Sequence, residues 1–340
     1  MKPASKSGAL LFGVLPAATI LSISCALAWS SAFADAPAAT ATSLATAFAD
    51  LQAGKADEAA SLLNQAIRSN PNDAEANNLL CRVDYATQHF DQAAGPCEKA
   101  VSASPQNARY HLWLGRVTGE RADHASFMSA FSMAKKSREQ FETAVRLDPR
   151  DGEALSDLGE FYKEAPGVVG GGLDKAEEIA KKLDTVDASR AHQLRAQIAE
   201  KQKDLATAER ELKAACTGSR AAVQWMQLAS FYRRQERWAE MEAAIKSGEA
   251  AAARDRRSAV AFFNGATVLS RANRQPQEAI KLFERYIDSP DKSEEAPAFD
   301  ALVRVARLRK QTGDQAGAER DRAAALALAH DYKPAQELKF

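Results

Sequence analysis

The sequence predicts an all-α fold built from repeated helical hairpins. Two prolines stand 34 residues apart and a third ends a further copy of the same pattern. Each copy places an apolar or soft side chain three residues before an alanine and a proline five residues later: Leu63, Ala66, Pro71; Cys97, Ala100, Pro105; Phe141, Ala144, Pro149. A period near 34 indicates a row of helix pairs, and no sustained apolar–polar alternation argues for strands.

Each part of this pattern has a physical reason. Alanine lets two helix backbones approach closely, larger side chains fill the remaining space, and proline cannot continue a helix. A stacked array buries its core between neighbouring pairs. The 340 residues therefore predict one elongated solenoid, with a weak joint near residues 184–190, where the pattern is poorest.

The pattern resembles the tetratricopeptide repeat family, most clearly in residues 74–107 and 108–151. The residues that carry the resemblance are Leu80, Cys81, Phe90, Ala93, Cys97, Ala100 and Pro105, then Leu114, Gly115, Phe141, Ala144 and Pro149. Looser copies include Leu158, Leu205, Trp225, Phe263 and Leu302. The resemblance implies a right-handed superhelical solenoid of helix-turn-helix repeats, seven or eight of them within residues 35–340.

The N-terminus predicts export. Two lysines precede an uncharged stretch that closes with Ala-Phe-Ala at residues 32–34. Small residues at both selective positions favour a signal peptide over residues 1–34, cleaved after Ala34. Residues 9–29 are also long enough to span a bilayer, so an uncleaved inner-membrane anchor is the alternative. A lipoprotein anchored at Cys25 is disfavoured, because Ser22 stands where the lipobox normally has leucine.

Export to a bacterial periplasm would place the repeat cysteines in an oxidising compartment. The family register puts Cys81 and Cys97 at core positions on the two helices of one hairpin, where they are able to bridge. The alternative is a pair of free buried cysteines. Cys216 has no partner under either interpretation, and Pro96 predicts a kink in the second helix.

Enzyme signatures are absent from the sequence, which predicts no catalytic residues, no metal site and no cofactor. The five histidines are far apart in sequence, and no Gly-x-Ser-x-Gly elbow occurs. The glycine-rich segment 165–173 is not a phosphate loop, because Leu173 follows its last glycine and a helix precedes it. It predicts an enlarged turn in the fourth repeat, with a ligand-contacting loop as the alternative. We expect no small-molecule substrate.

The balance of charged residues restricts the kind of partner that the chain is expected to bind. The chain has 45 basic and 45 acidic residues, and removing two lysines with the signal leaves 43 minus 45, or −2, which disfavours nucleic acid. The family's geometry turns one row of residues toward the concave groove: Asn78, Arg82, Tyr85, Arg109, Arg116, Arg233, Asn264, Arg271, Arg307 and Lys310. Such a row would bind acidic or C-terminal carboxylate groups; a solvated helical face is the alternative.

The third repeat contains an insertion, because its prolines lie 44 residues apart. Residues 125–134 lack glycine, proline and charge, and predict a second helix that begins early and projects beyond its neighbours. Phe127, Met128, Phe131 and Met133 would then form an exposed apolar patch that binds a partner. The alternative is that the phenylalanines fold back onto Trp113 or onto the turn at residues 168–169.

Together these features predict a non-enzymatic scaffold in the bacterial cell envelope that binds a protein or peptide partner. The alternative is an assembly component of an envelope complex, held at the membrane by residues 9–29. Membrane contact is expected only in that second case.

Overall fold

The computed structural model describes residues 36–218, 220–255 and 258–339. The predicted signal peptide and its alternative anchor lie outside them. The described residues form a right-handed superhelical solenoid of eight helical hairpins and a short final helix. The helices are α1 (Ala36–Ala53), α2 (Ala56–Ser69), α3 (Ala74–Ala86), α4 (Phe90–Ala103), α5 (Ala108–His124), α6 (Phe127–Leu147), α7 (Gly152–Glu164), α8 (Leu173–Leu183), α9 (Ala188–Lys201), α10 (Leu205–Ala215), α11 (Ala221–Arg234), α12 (Trp238–Ala252), α13 (Val260–Arg271), α14 (Pro276–Asp288), α15 (Ala298–Gln311), α16 (Gln315–Leu328) and α17 (Lys333–Gln336). Within these ranges, none of the helices has both the length and the apolar character needed to cross a bilayer.

The repeat prolines lie in the turns between hairpins, and each turn also supplies the cap of the next helix. The Asp73 carboxylate accepts from the Ala76 N–H at 2.9 Å, and the Asn107 amide oxygen accepts from the Arg109 N–H at 3.1 Å. Asp151 caps α7 in the same way. These caps satisfy N–H groups that the first helical turn leaves unpaired, so one short turn ends one hairpin and begins the next.

Small residues allow the helices of a hairpin to cross closely. Ala100 and Ala144 are fully buried, and a side chain at Gly115 would come within 2.7 Å of the Phe141 ring. The predicted joint near residues 184–190 does not interrupt the core, because Leu183 of α8 and Leu194 of α9 belong to one hydrophobic cluster. Helix α4 runs through Pro96 without ending.

The first and last hairpins pack against each other and close the solenoid into a ring. A single hydrophobic cluster joins α1–α3 to α15–α17. At its centre the Phe299 and Tyr332 rings lie 4.8 Å apart, edge to face, and both are 1% exposed. The turn between α1 and α2 meets α15 so closely that a side chain at Gly54 would lie 2.6 Å from the Ala298 nitrogen.

Polar groups border this ring closure. Asp57 accepts from the backbone N–H of His330 at 3.0 Å, and its other oxygen lies 2.8 Å from the His330 Nδ1. The Tyr332 hydroxyl donates to Asp300 at 2.9 Å. His89 of the second hairpin lies 3.6 Å from Asp331. Hydrogen-bonded and charged groups therefore surround the apolar contact between sequence-distant repeats.

The two cysteines of the second hairpin face each other. Cys81 of α3 and Cys97 of α4 form a disulfide across a Cα–Cα distance of 5.2 Å, next to Trp113 in a buried cluster. Cys216 is a free, buried thiol. Burial raises the pKa of Cys216 to about 12, so this thiol is unreactive at neutral pH.

Replacing Tyr332 should open the ring. We expect Tyr332→Ala to lower the free energy of unfolding by about 3–5 kcal/mol, the usual cost of deleting a buried aromatic ring. Tyr332→Phe keeps the ring and removes only the hydroxyl, so its cost should be about 0.5–1.5 kcal/mol. Urea unfolding followed by circular dichroism measures both, and equal small losses would show that the closure carries little stability.

Candidate functional site

The inner surface of the ring carries arginines at equivalent positions of successive repeats. Arg82 of α3 lies between two aromatic rings, 5.1 Å from the centroid of Phe48 and 5.3 Å from that of Trp113. Its guanidinium donates two hydrogen bonds to Glu294, at 2.8 and 2.7 Å. The two side chains are only 5% and 13% exposed. Arg82 is therefore a buried, paired cation rather than an open ligand site.

Arg116 of α5 is the next arginine in the row. Its guanidinium lies 4.6 Å from the Trp113 centroid, on the same indole that contacts Arg82. It donates to Asp157 and to Glu153, each at 2.6 Å, and its Nη1 lies 3.3 Å from Glu295. One buried cation thus faces three carboxylates.

Glu294 and Glu295 belong to the loop 289–297, which joins α14 to α15 and which we call the acidic loop. Tyr286 fixes its shape: the Tyr286 hydroxyl accepts from the Ser293 N–H at 2.9 Å and donates to the Ala296 carbonyl at 2.5 Å. The acidic loop reaches Arg82 because the ring closure brings the last hairpins beside the second one. The acidic loop therefore fills part of the groove that the sequence predicts for a partner.

More carboxylates surround Arg116 than its single charge can neutralise, and this shifts the pKa values of those carboxylates. Burial would raise the pKa of Glu153, but the attraction and hydrogen bond of Arg116, together with the charges of Arg190 and Arg82, outweigh burial and hold that pKa below its ordinary value. At Asp157 burial outweighs Arg116 and raises the pKa. Desolvation also raises the pKa of Glu295, and the neighbouring charges of Glu153 and Asp157 add to that rise. The single positive charge of Arg116 therefore does not neutralise all three carboxylates.

In the C-terminal part of the predicted row, the arginines are not paired in this way. Arg233 of α11 is half-buried, and its Nε is buried without a hydrogen-bond partner. Burial lowers the pKa of Arg233, and the positive charges of Arg234 and Arg271 lower it further. Arg234 is paired with Glu200 at 2.8 Å. Among the described residues, no ion pair engages Arg233 or Arg271.

The other predicted groove residues occupy different environments. Asn78 is fully buried and its side-chain amide makes no hydrogen bond. It offers no surface to a partner, so the prediction for Asn78 is wrong. The Tyr85 hydroxyl donates to Glu120 at 3.2 Å. Four more remain accessible: Asn264 is half-buried, and Arg109, Arg307 and Lys310 are exposed, the last donating to the Lys339 carbonyl.

Sequence reasoning missed the acidic partners of the inner surface. Glu294 and Glu295 lie in a loop outside the repeat pattern, so only the ring closure reveals their role. It also missed Arg190 and Arg220, which line a cavity of about 330 Å³ with the acidic loop. The buried Nε of Arg220 has no hydrogen-bond partner.

Helix α6 begins at Phe127, as the insertion predicts. Phe127 is 85% exposed and Met128 78% exposed, whereas Phe131 and Met133 are half-buried. The Lys135 ammonium covers the Phe131 ring at 4.3 Å. The apolar patch is therefore narrower than predicted, and only its N-terminal part is fully open.

The glycine-rich turn after α7 uses its own backbone donors. The N–H groups of Gly171 and Gly172 donate to the carbonyls of Pro166 and Tyr162, at 3.2 and 2.7 Å. A side chain at Gly171 would lie 1.8 Å from the Ala165 oxygen. A phosphate cradle needs free N–H groups, and these are already occupied.

Histidines that are distant in sequence do approach acidic groups at the ring closure. Asp57, His330 and Asp331 place one potential ligand atom each within 4.8 Å of one another. However, both Asp57 oxygens already accept hydrogen bonds from His330. We interpret this cluster as part of the closure.

Comparison with known proteins identifies the repeats. The family model described as tetratricopeptide repeat matches residues 50–117. Superkiller complex protein 3 of Mus musculus is 28% identical over 119 residues, covering 34% of this chain and 7% of that protein's length.

Solved structures that resemble this chain include two tetratricopeptide repeat proteins and the human IFIT1 dimer. A thermophilic protein from Thermus thermophilus covers 53% of this chain and 91% of its own, with 18% identity and a TM-score of 0.45. A protein from Parabacteroides merdae covers 88% and 97%, with 13% identity and a TM-score of 0.41. The human IFIT1 dimer with PPP-AAAA covers 82% and 70%, with 14% identity and a TM-score of 0.43.

These TM-scores lie below 0.5, so the fold assignment rests on the hairpins themselves. Residues 50–117 match the tetratricopeptide repeat family, and the eight stacked helix pairs repeat the same helix-turn-helix architecture through the described residues. Such repeats generally form protein-binding scaffolds rather than enzymes.

The ion pair between Arg82 and Glu294 should be sensitive to removal of one partner. We expect Glu294→Ala to destabilise the chain by about 3–5 kcal/mol, because it leaves a buried guanidinium uncompensated. The control is Asp91→Ala, which breaks a pair with Arg121 in which the aspartate is 89% exposed and should cost less than about 1 kcal/mol. Urea unfolding at pH 7 compares them; equal effects would contradict the burial argument.

Proposed function

We propose that this protein is an exported, non-enzymatic scaffold that binds a carboxylate-bearing segment of a partner protein on the inner surface of its ring. The binding position is the half that contains Arg233 and Arg271. The observation that carries the proposal is the buried Nε of Arg233, which lacks an acceptor while the positive charges of Arg234 and Arg271 lower the pKa of its guanidinium. An incoming carboxylate would supply that acceptor and relieve the repulsion between like charges.

The chain itself illustrates this chemistry. In the N-terminal part of the row, Glu294 makes a two-point contact with Arg82. A partner glutamate, aspartate or C-terminal carboxylate would make the equivalent contact at Arg233. Since the acidic loop already neutralises Arg82 and Arg116, the proposal moves the predicted binding row toward the C-terminal half.

Two observations support export to a bacterial periplasm. Residues 32–34 offer a signal-peptidase site, and the second hairpin contains a disulfide, a bond that persists in oxidising compartments. The alternative function, a membrane-anchored assembly component, requires that residues 9–29 stay attached to the chain. The presence or absence of these residues therefore distinguishes the exported scaffold from the anchored component.

The mature N-terminus tests the location. We expect intact mass spectrometry of the protein from the periplasmic fraction to give a chain beginning at Asp35. Cleavage removes the anchor because residues 9–29 leave with the signal. A chain beginning at Met1 in the membrane fraction would establish the anchored alternative instead.

An array of decapeptides of acidic, neutral and basic composition tests the binding surface. We expect the mature chain to retain acidic peptides, more weakly at high salt, and Arg233→Gln with Arg271→Gln to reduce binding about tenfold. The matched control, Arg68→Gln with Arg150→Gln, removes the same number of charges elsewhere and should bind normally. Equal loss in both variants, a preference for neutral or basic peptides, or binding of single-stranded RNA in place of peptides would refute the proposal.

A further inference from the structure

A cavity of about 650 Å³ lies between α5, α6 and α7, beside the acidic loop. This volume is within the range of ordinary ligand sites. Aromatic and small apolar side chains form its walls, among them Phe141, Phe161, Ala134 and Val169. It is separate from the surface around Arg233.

Two departures from the regular repeat create this cavity. Helices α5 and α6 have 17 and 21 residues, whereas the preceding α3 and α4 have 13 and 14. The additional turns extend two walls beyond the neighbouring hairpins. The glycine-rich turn closes a third side, where the Arg138 Nη1 donates to the Val169 carbonyl at 2.9 Å and attaches the turn to α6.

The cavity is strongly acidic. Its lining includes one cation, Arg116, and six carboxylates: Glu120, Asp123, Asp157, Glu160, Glu164 and Glu295. Lysines compensate part of this charge, since Lys201 and Lys163 pair with Glu164 and Lys163 also lies 3.8 Å from Glu160. Within the described part of the chain, no ion pair engages Glu120 or Asp123, which stand three residues apart on the same wall of α5.

A buried donor also faces this space. Arg116 lines the cavity, its side chain is 10% exposed, and its Nη1, which lies 3.3 Å from a Glu295 oxygen, makes no hydrogen bond. A carbonyl oxygen of a bound segment would satisfy that donor. The raised pKa values of Asp157 and Glu295 are consistent with a site that lacks one positive charge.

The apolar patch continues one wall of the cavity. Phe127, Phe131 and Ala134 follow each other at intervals of four and three residues on α6, so they share one helix face. Ala134 lines the cavity, and Phe127 is the fully exposed end of this stripe. A ligand that enters the acidic space would also meet apolar surface.

We propose that this cavity binds a partner-protein segment that presents an arginine or lysine side chain beside an apolar one. The cation occupies the space between Glu120, Asp123 and Glu160, where aromatic walls also favour it. The apolar neighbour packs on the exposed end of α6. This site is opposite in charge to the surface around Arg233 and does not depend on it.

Three acetylated pentapeptides test the proposal by fluorescence anisotropy with the mature chain. They are Leu-Arg-Phe-Arg-Leu, its glutamate counterpart Leu-Glu-Phe-Glu-Leu, and Gly-Arg-Gly-Arg-Gly. We expect the first to bind at least tenfold more tightly than the other two. Glu120→Gln with Asp123→Asn should reduce that affinity about tenfold, and the glutamine retains an acceptor for the Tyr85 hydroxyl.

The control Glu319→Gln with Glu337→Gln changes the same charge at exposed positions and should stay within twofold of the parent. Ala134→Phe places a larger side chain in the cavity and should abolish binding. A thermal unfolding midpoint close to that of the parent chain would show that this variant is folded. If Gly-Arg-Gly-Arg-Gly bound as tightly as Leu-Arg-Phe-Arg-Leu, charge attraction alone would explain the binding, and the proposal would be overturned. Equal loss in the control, a preference for the glutamate peptide, or no binding of any peptide would also overturn it.

Discussion

The contact between the first and last hairpins determines the rest of this structure. In an open array of repeats each hairpin touches only its neighbours, and nothing would bring the acidic loop to Arg82. Here Tyr332 and Phe299 complete a core begun by α1–α3, and Glu294 then meets an arginine 212 residues away in sequence. The closure turns a quasi-one-dimensional solenoid into a ring with an enclosed inner surface.

This enclosure divides the charge of the ring into zones of different chemistry. Near Trp113, Arg82 and Arg116 pair with carboxylates in a buried network in which negative charge is in excess. Such a network contributes less to stability than its short contacts suggest, because desolvation offsets much of the attraction; its main effect is to fix how the loop crosses the ring. Around Arg233 positive charge remains, and in the cavity between α5 and α7 negative charge remains. A neutral overall charge conceals this separation.

The sequence could predict what depends on neighbouring residues. The proline period located the turns, the uncharged insertion gave the early start of α6 at Phe127, and the family register placed Cys81 opposite Cys97. It could not predict the partner of Arg82, because closure depends on small rotations accumulated over eight hairpins. For the same reason the sequence could not show that Asn78, which the family register assigns to the groove, is buried. Nor could it show the cavity, because the walls of the cavity come from an insertion in one repeat and a glycine-rich turn in the next.

A designed cross-link across the ring closure tests the central claim most directly. The Asp57 Oδ1 of the first hairpin lies 2.8 Å from the Nδ1 of His330, which stands in the turn that follows the eighth hairpin. In a mature chain carrying Cys216→Ser, the pair Asp57→Cys and His330→Cys should form an intrachain disulfide under mild oxidation. The pair Glu58→Cys and His330→Cys, directed about 100° away around α2, should not. A closed ring predicts efficient bridging of the first pair alone, and failure of that pair, or equal weak bridging of both, would show that the solenoid is open.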